Sequence, residues 1–256
     1  MAVGSGKTSG AQALRRAVNL LRVLSMARDS GYGLTDLARL TGLPHPTVHR
    51  MLRALMEEGL VEQKGATHRY VVGQEIQFLA LARAPQTPLM TAAEAHLGRL
   101  ADQLGDTLFL TQRTGAETIC IARRLGAYPV QVVPLRVGDR RPLGVSSAGL
   151  ALLAALPADE ARRILVLNAP QLAEYRLTVE ASAAMVRDAR RLGYALRDRG
   201  IVPGTRAISV VLRDAAGLPS AALTVAGVVR RLSHRRTPDI AETLWEAAAQ
   251  IERSLG

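Results

Sequence analysis

Residues 33–60 read GLTDLARLTGLPHPTVHRMLRALMEEGL and continue as VEQKGATHRYVVG over 61–73. Thr35 is the expected N-cap of a first short helix, because its hydroxyl can accept from backbone N–H groups of the next turn. Leu37, Ala38 and Leu40 follow at helical spacing. Gly42 supplies the permissive backbone for a tight turn, Leu43 points inward, and Pro44 fixes the approach to a second helix. Val48, Met51, Leu52 and Leu55 form the apolar face of that helix, and Gly59 ends it as a left-handed residue. Two short strands, 60–62 and 69–72, then flank a basic, glycine-bearing tip over 64–68. This is the pattern of a winged helix–turn–helix, which lays its second helix in the major groove of DNA.

The polar face of the second helix carries His45, Thr47, His49, Arg50 and Arg53. Arginine can fork onto a guanine edge, and threonine can meet a thymine methyl. With Thr35 and the wing residues Lys64 and Arg69, these are the candidate DNA-binding residues. The expected partner is double-stranded DNA with a near-palindromic operator, read by a homodimer or a dimer of dimers.

Outward from this segment, residues 11–28 show Leu14, Val18, Leu21 and Leu24 at helical spacing. Residues 1–10 are rich in Gly and Ser and are expected to be a disordered tail, and the DNA-binding domain is expected over 11–73. Ile76, Leu79 and Ala80 mark a linker helix within 74–88, which ends at Ala84-Pro85-Gln86-Thr87-Pro88. Beyond it, Thr91-Ala92-Ala93-Glu94 reads as a capping box for a helix to about Leu104. A hairpin turns at 114–116, a strand is expected over 128–137, and helices over 147–156 and 159–166. Thr178 should cap a helix ending at Gly193. A second hairpin turns around 214–219, and Thr237-Pro238 opens the last helix. The expected fold class is α+β: an N-terminal winged helix–turn–helix joined by a linker helix to a C-terminal sensor domain, 89–256, with a mainly antiparallel sheet flanked by helices.

Composition agrees with a nucleic-acid partner without proving one. The chain of 256 residues carries a net charge of +11, which favours a polyanion. Residues 1–87 hold 11 basic and 6 acidic side chains, and residues 88–256 hold 22 and 16, so the excess is not confined to the DNA-binding part. The single cysteine, Cys120, lies in an apolar run, which fits a buried small hydrophobe and a reducing, cytoplasmic location. No apolar run approaches a membrane span and no secretory signal is visible, so no membrane partner is expected.

The chain resembles the IclR-type transcription regulators over nearly its whole length. Residues 16–63 are similar to that family's DNA-binding domain. VGDRRPLGVSSAGLALLAAL (137–156) resembles the segment that opens its ligand pocket, RRLGYALRD (190–198) its Gly-Tyr-Ala stretch, and GTRAISVVLRDAAGLPSAALTVAGVVRRLS (204–233) its final hairpin. The resemblance implies a small-molecule effector bound in the C-terminal domain and a DNA affinity that changes with it. By the same resemblance the effector pocket is expected at Leu143, Val145, Ser146, Ser147, Ala148, Gly149, Arg197, Ala207, Ser209, Thr224 and Ala226. The chain departs from the family pattern at Ala207, where many relatives carry cysteine, and at Gly144, near which many carry histidine. Arg197-Asp198-Arg199-Gly200 stands for an acidic cluster, and Thr224 and Ala226 stand for serines. The pocket's place therefore carries over, and its ligand does not.

Arg136, Arg140, Arg141, Arg197 and Arg206 fall in the segments expected around that pocket. One facing inward would recognise a small organic anion, and Arg197 is the prime candidate. Two other readings stand beside the sensor. One is a C-terminal domain that only oligomerises. The other is a serine hydrolase, since Gly144-Val145-Ser146-Ser147-Ala148 approaches a nucleophile elbow and Asp214 and His234 follow in hydrolase order. The final glycine of that motif is missing, and no enzyme is expected. The five histidines lack metal-ligand clustering, so no metal and no cofactor are expected.

Overall fold

Gly42 turns the chain at φ 67°, a left-handed conformation that glycine adopts without a Cβ penalty. It separates helix α2 (Leu34–Thr41) from helix α3 (His45–Glu57). The protein is described by a computed structural model, covering residues 6–82, 87–198 and 201–255. The chain divides into two compact units, Met1–Pro85 and Gln86–Gly256.

In the first unit, helix α1 (Gly6–Ala27) begins earlier than the composition of the N-terminus implied: residues 6–10 are helical, and residues 1–5 lie outside the described residues. Leu20 and Leu24 of α1 are fully buried against Leu37, Val48 and Leu52. Thr35 is not the cap of α2. Gly33 is, and its N–H donates to the Asp36 carboxylate at 3.3 Å. Pro44 occupies the N-cap of α3 and Pro46 lies in its first turn. Helix α3 ends in a Schellman arrangement, with Leu60 N–H donating to Leu55 O (2.9 Å), Gly59 N–H to Met56 O (3.0 Å), and Gly59 at φ 67°. Strands β1 (Val61–Lys64) and β2 (Arg69–Val72) pair antiparallel as the wing. Helix α4 (Glu75–Leu81) follows; the expected continuation at Arg83 and the break at Ala84-Pro85-Gln86 lie outside the described residues.

The second unit is a six-stranded, wholly antiparallel sheet of order β5-β4-β3-β8-β7-β6. Its strands are β3 (Thr107–Thr114), β4 (Glu117–Arg124), β5 (Arg140–Pro142), β6 (Ala195–Arg197), β7 (Thr205–Arg213) and β8 (Pro219–Val228). Both expected hairpins are present. The expected strand over 128–137 is not: that stretch crosses the sheet as irregular chain, and the pairing falls to β5. β5 pairs with Glu117, Thr118 and Ile119, and Cys120 bonds to the turn before it, donating to Asp139 O (2.9 Å) and accepting from Gly138 N–H (2.7 Å).

Strand alternation divides the sheet's two faces. Leu108, Leu110, Ile208, Val210, Leu212, Leu223 and Val225 pack on helices α5 (Pro88–Leu104) and α10 (Thr237–Arg253). Thr87, not Thr91, caps α5, accepting from Met90 N–H at 3.3 Å, and Pro88 takes the first helical position. On the opposite face lies α6 (Ser147–Ala155), whose residues from Ser147 to Leu153 are all buried. It is covered by α7 (Ala158–Leu167), α9 (Val179–Leu192) and the short helix α8 (Ala169–Glu174). Thr178 caps α9, accepting from Ala181 N–H at 3.1 Å. A bulge in the β3–β4 pairing opposes Leu110 to Ala122 but Thr111 to Cys120. It turns Cys120 to the α6 face and leaves Ile119 and Ile121 half-buried, which simple alternation from the sequence misplaces.

Candidate DNA-binding surface and effector cavity

On α3 the buried Val48, Leu52 and Leu55 hold one side to the core, so the opposite side is presented outward. His45, His49, Arg50 and Arg53 are exposed there and Thr47 is half-buried. Arg53 lies 4.0 Å from Glu57, both highly exposed, a geometry that holds neither side chain firmly. Thr35 is exposed in the first turn of α2.

The two wing cations are not free. Arg69 Nε donates to Ser30 O (2.9 Å) and Gly31 O (3.1 Å), its Nη2 donates to Gly31 O (2.9 Å), and Asp36 lies 3.8 Å away. Lys64 Nζ donates to Asp29 O. Both reach back to the turn between α1 and α2, where Tyr32 and Tyr70 exchange backbone hydrogen bonds of 3.0 and 2.8 Å. Arg69 and Lys64 thus brace the wing against that turn, a role that a basic tip in the sequence does not reveal.

In the second unit a narrow cavity of about 40 Å³ opens over the α6 face of the sheet. Its floor is Phe109 and Thr111 of β3, Ala207 of β7, and Thr224 and Ala226 of β8. Val132, Pro134 and Leu135 cover one side, and Ser146, Ser147 and Ala148 bring the start of α6 to it. The α6 start is set by Ser146, whose Oγ accepts from Gly149 N–H at 3.2 Å. Gly144, at φ 104°, permits the approach: a Cβ there would stand 2.7 Å from Leu165 Cδ2.

Of the eleven expected pocket residues, Ser146, Ser147, Ala148, Arg197, Ala207, Thr224 and Ala226 line the cavity. Leu143 and Val145 do not; they are fully buried in the core between α6, α7 and α8. Gly149 packs its backbone on Leu143 and Gly144. Ser209 lies fully buried beneath the floor, where its Oγ donates to Ser147 Oγ (2.8 Å) and meets Thr224 Oγ1 (2.7 Å). A hydroxyl has one proton. With that of Ser209 given to Ser147, Thr224 donates to Ser209, and the Ser147 proton is not used within this chain.

Arg141, Arg197 and Arg206 all contribute to the lining, while Arg140 pairs with Glu117 at 3.2 Å and Arg136 is exposed. Their guanidiniums are placed differently. Arg206 shares strand parity with Ile208 and Val210, so its side chain leaves the cavity face. It donates to Leu232 O (2.5 Å), pairs with Asp198 and meets His234 Nε2 (3.0 Å). Arg141 pairs across from Thr118, on the face of Cys120, and is only 8% exposed. Its Nη2 donates to Pro134 O at 2.6 Å, and its Nη1 is buried without a partner. Arg197 Nη1 reaches Met185 Sδ at 3.3 Å, and its Nε is buried without a partner. Burial pushes the pKa of both Arg141 and Arg197 down; for Arg141, Tyr175 and Asp139 partly oppose it. Among the described residues no carboxylate lines the cavity. The sequence pointed to Arg197 but not to Arg141 as a chosen site residue, because only the β4–β5 register turns Arg141 inward.

The hydrolase arrangement is not assembled. Ser146 caps α6, Asp214 Oδ1 accepts from Ala216 and Leu218 N–H groups (3.0 and 2.9 Å), and His234 faces Asp198 at 3.5 Å. Among the described residues no group of three or more His, Cys, Asp or Glu is placed to hold a metal ion, and no helix is long and apolar enough to cross a membrane.

A winged helix–turn–helix in one unit and a separate cavity-bearing unit define a DNA-binding transcription regulator with an effector domain. The chain belongs to the IclR family: residues 13–65 match the IclR helix-turn-helix domain and residues 82–253 match the bacterial transcriptional regulator IclR C-terminal domain. It is 30% identical to the HTH-type transcriptional regulator BhcR of Paracoccus denitrificans, over 97% of this chain and 89% of that one. An IclR family transcriptional regulator from Brucella abortus, 23% identical, shares the fold with a TM-score of 0.79 over 100% of this chain and 97% of that one. An IclR homologue from Microbacterium hydrocarbonoxydans, solved in complex with 4-hydroxybenzoate, is 26% identical with a TM-score of 0.69, over 95% and 98% of the two chains. These relatives are regulators, in agreement with the absence of an assembled triad among the described residues.

Proposed function

We propose that the protein reads a near-palindromic operator as a homodimer or dimer of dimers, and that a small organic anion held in the cavity sets its DNA affinity. The observation that carries the anion is the pair of guanidiniums, Arg141 and Arg197, each with a buried unpartnered N–H, on a cavity with no carboxylate among its described lining residues. Burial disfavours both charges, Asp139 offsets this only in part for Arg141, and an anionic ligand in the cavity relieves that cost. The homologue in complex with 4-hydroxybenzoate, an organic acid, supports this reading. A C-terminal domain that only oligomerises has no use for such a pair.

In this reading His45, Thr47, His49, Arg50 and Arg53 meet bases and phosphates, with Thr35 at the groove edge, while Lys64 and Arg69 act by holding the wing. Two copies of α3 would address half-sites about one turn, ~34 Å, apart. Helix α4 is the proposed coupling element. The chain entering it is tied to the wing root, with Gly73 N–H donating to Leu60 O (2.9 Å) and Gln74 N–H to Glu62 Oε1 (2.8 Å), so a shift of α4 moves the wing. A coupling of ~1–3 kcal/mol changes affinity about 5- to 150-fold.

Fluorescence anisotropy on DNA upstream of the protein's own gene, against scrambled DNA and across a salt series, tests the operator reading. Preferential binding that Arg50→Ala weakens is the expected result. Absence of a preferred site there, followed by none in genome-wide selection, sinks it.

A further inference from the structure

We propose that the cavity takes a dianion, a short molecule with an acid group at each end, one seated on Arg141 and the other on Arg197. This rests on the anion reading above and sharpens it. The two arginines come from opposite edges of the sheet: Arg141 is on β5 and Arg197 on β6, the first and last strands of the order β5-β4-β3-β8-β7-β6. Five strand spacings measure about 24 Å along a flat sheet. Two long side chains reaching inward over the α6 face of the sheet both line this one cavity. Neither has a carboxylate partner there.

A single carboxylate can neutralise one of these guanidiniums and leaves the other without an anion in the cavity. Arg206 also contributes to the lining and its Nε is buried without a partner, but its charge is already paired with Asp198, so it does not change this count. The floor is mostly apolar, through Phe109, Ala207 and Ala226, which suits a short carbon chain. The Ser147 hydroxyl proton, left over by the Thr224–Ser209–Ser147 chain, adds one donor to the lining. The arrangement asks for two terminal anions, a short carbon chain and room for one further acceptor.

The test is isothermal titration of the full-length protein at neutral pH with matched probes. These are the α,ω-dicarboxylates from malonate to pimelate, their monomethyl esters, the monocarboxylates acetate, butyrate and benzoate, and the neutral diamides. The expected result is an optimum chain length at which the diacid binds at least tenfold more tightly than its monomethyl ester or a monoacid of equal length. Arg141→Gln and Arg197→Gln should each bring that diacid to the level of the ester. The ester comparison is made on the unaltered protein, so it stands even if Arg141→Gln misfolds, which Trp245 fluorescence would reveal. Equal binding of diacids and monoacids overturns the two-ended site and leaves the anion reading intact. Binding of the neutral diamides in preference to every acid, or of no probe at all, overturns both.

Discussion

Arg69→Ala separates a brace from a DNA contact. The side chain donates three hydrogen bonds of 2.9–3.1 Å to Ser30 O and Gly31 O, with Asp36 at 3.8 Å. A hydrogen bond from a charged donor nets about 1.5–3 kcal/mol. Here one N–H is shared between two carbonyls and the side chain is 42% exposed, so water replaces part of the loss. The ion pair at that exposure adds about 0–1 kcal/mol. A net of about 1.5 kcal/mol corresponds to roughly a tenfold change in a local opening equilibrium. The reporters are the amides of Tyr32 and Tyr70, which bond each other across the braced turn. Hydrogen exchange in the variant should speed about tenfold at these two amides and remain unchanged in the α5–α10 core. A phosphate contact behaves differently: losing one lowers the slope of log affinity against log salt by about 0.9. Arg50→Ala should show that loss, and Arg69→Ala should keep the parent slope. A slope reduced by about one for Arg69→Ala, with exchange at Tyr32 and Tyr70 unaltered, refutes the brace.

Three further outcomes follow from the second unit. Cys120, buried under Val132 and Leu135 and with its thiol pushed up to about 11 mainly by burial, should resist maleimide in the native protein at pH 8, where about one thiol in a thousand is ionised; rapid native labelling counts against its placement. Labelling should rise as pH climbs toward 11, the direction set by a raised thiol pKa. Gly144→Ala adds a Cβ 2.7 Å from Leu165 Cδ2 at a φ of 104°, so thermal denaturation followed at Trp245 should show a loss of about 2–4 kcal/mol; an unchanged midpoint contradicts the loop geometry. Asp106 is 2% exposed and accepts from Arg231 Nε through both oxygens at 2.9 Å, while the Arg231 guanidinium lies 4.1 Å from the Tyr128 ring centre. Asp106→Ala leaves that cation unpaired and should cost about 3–5 kcal/mol in urea unfolding, and a loss below 1 kcal/mol would show that the pair is dispensable.

The helix–turn–helix was legible because its signals are local. Gly42, Pro44, the apolar spacing of α3 and the stop at Gly59 each act within one or two turns of chain, and the structure places all of them as read. The helix starts were less legible. Thr35 and Thr91 have good capping chemistry, yet Gly33 and Thr87 hold the cap positions, because the neighbouring Asp36 carboxylate and Pro88 favour starts one or more residues earlier. A sequence alone does not tell a paired strand from irregular chain lying over a sheet, as at 128–137.

By itself the sequence determined the family, the two-part architecture expected of it, the exposed polar face of α3 and the region of the cavity. Tertiary structure alone decided which arginines matter. Arg69 leaves the set of free wing cations because the turn at 28–31 folds beneath it. Arg206 borders the cavity, but strand parity sends its guanidinium to the other face, where Asp198 pairs it. Arg141 enters the cavity because a bulge in β4's pairing with β3 and the β4–β5 register turn its face inward. Helix signals are carried by neighbours in the chain, whereas the direction of a side chain on a sheet is set by pairing with residues far away in it, and a shift of one position reverses the face.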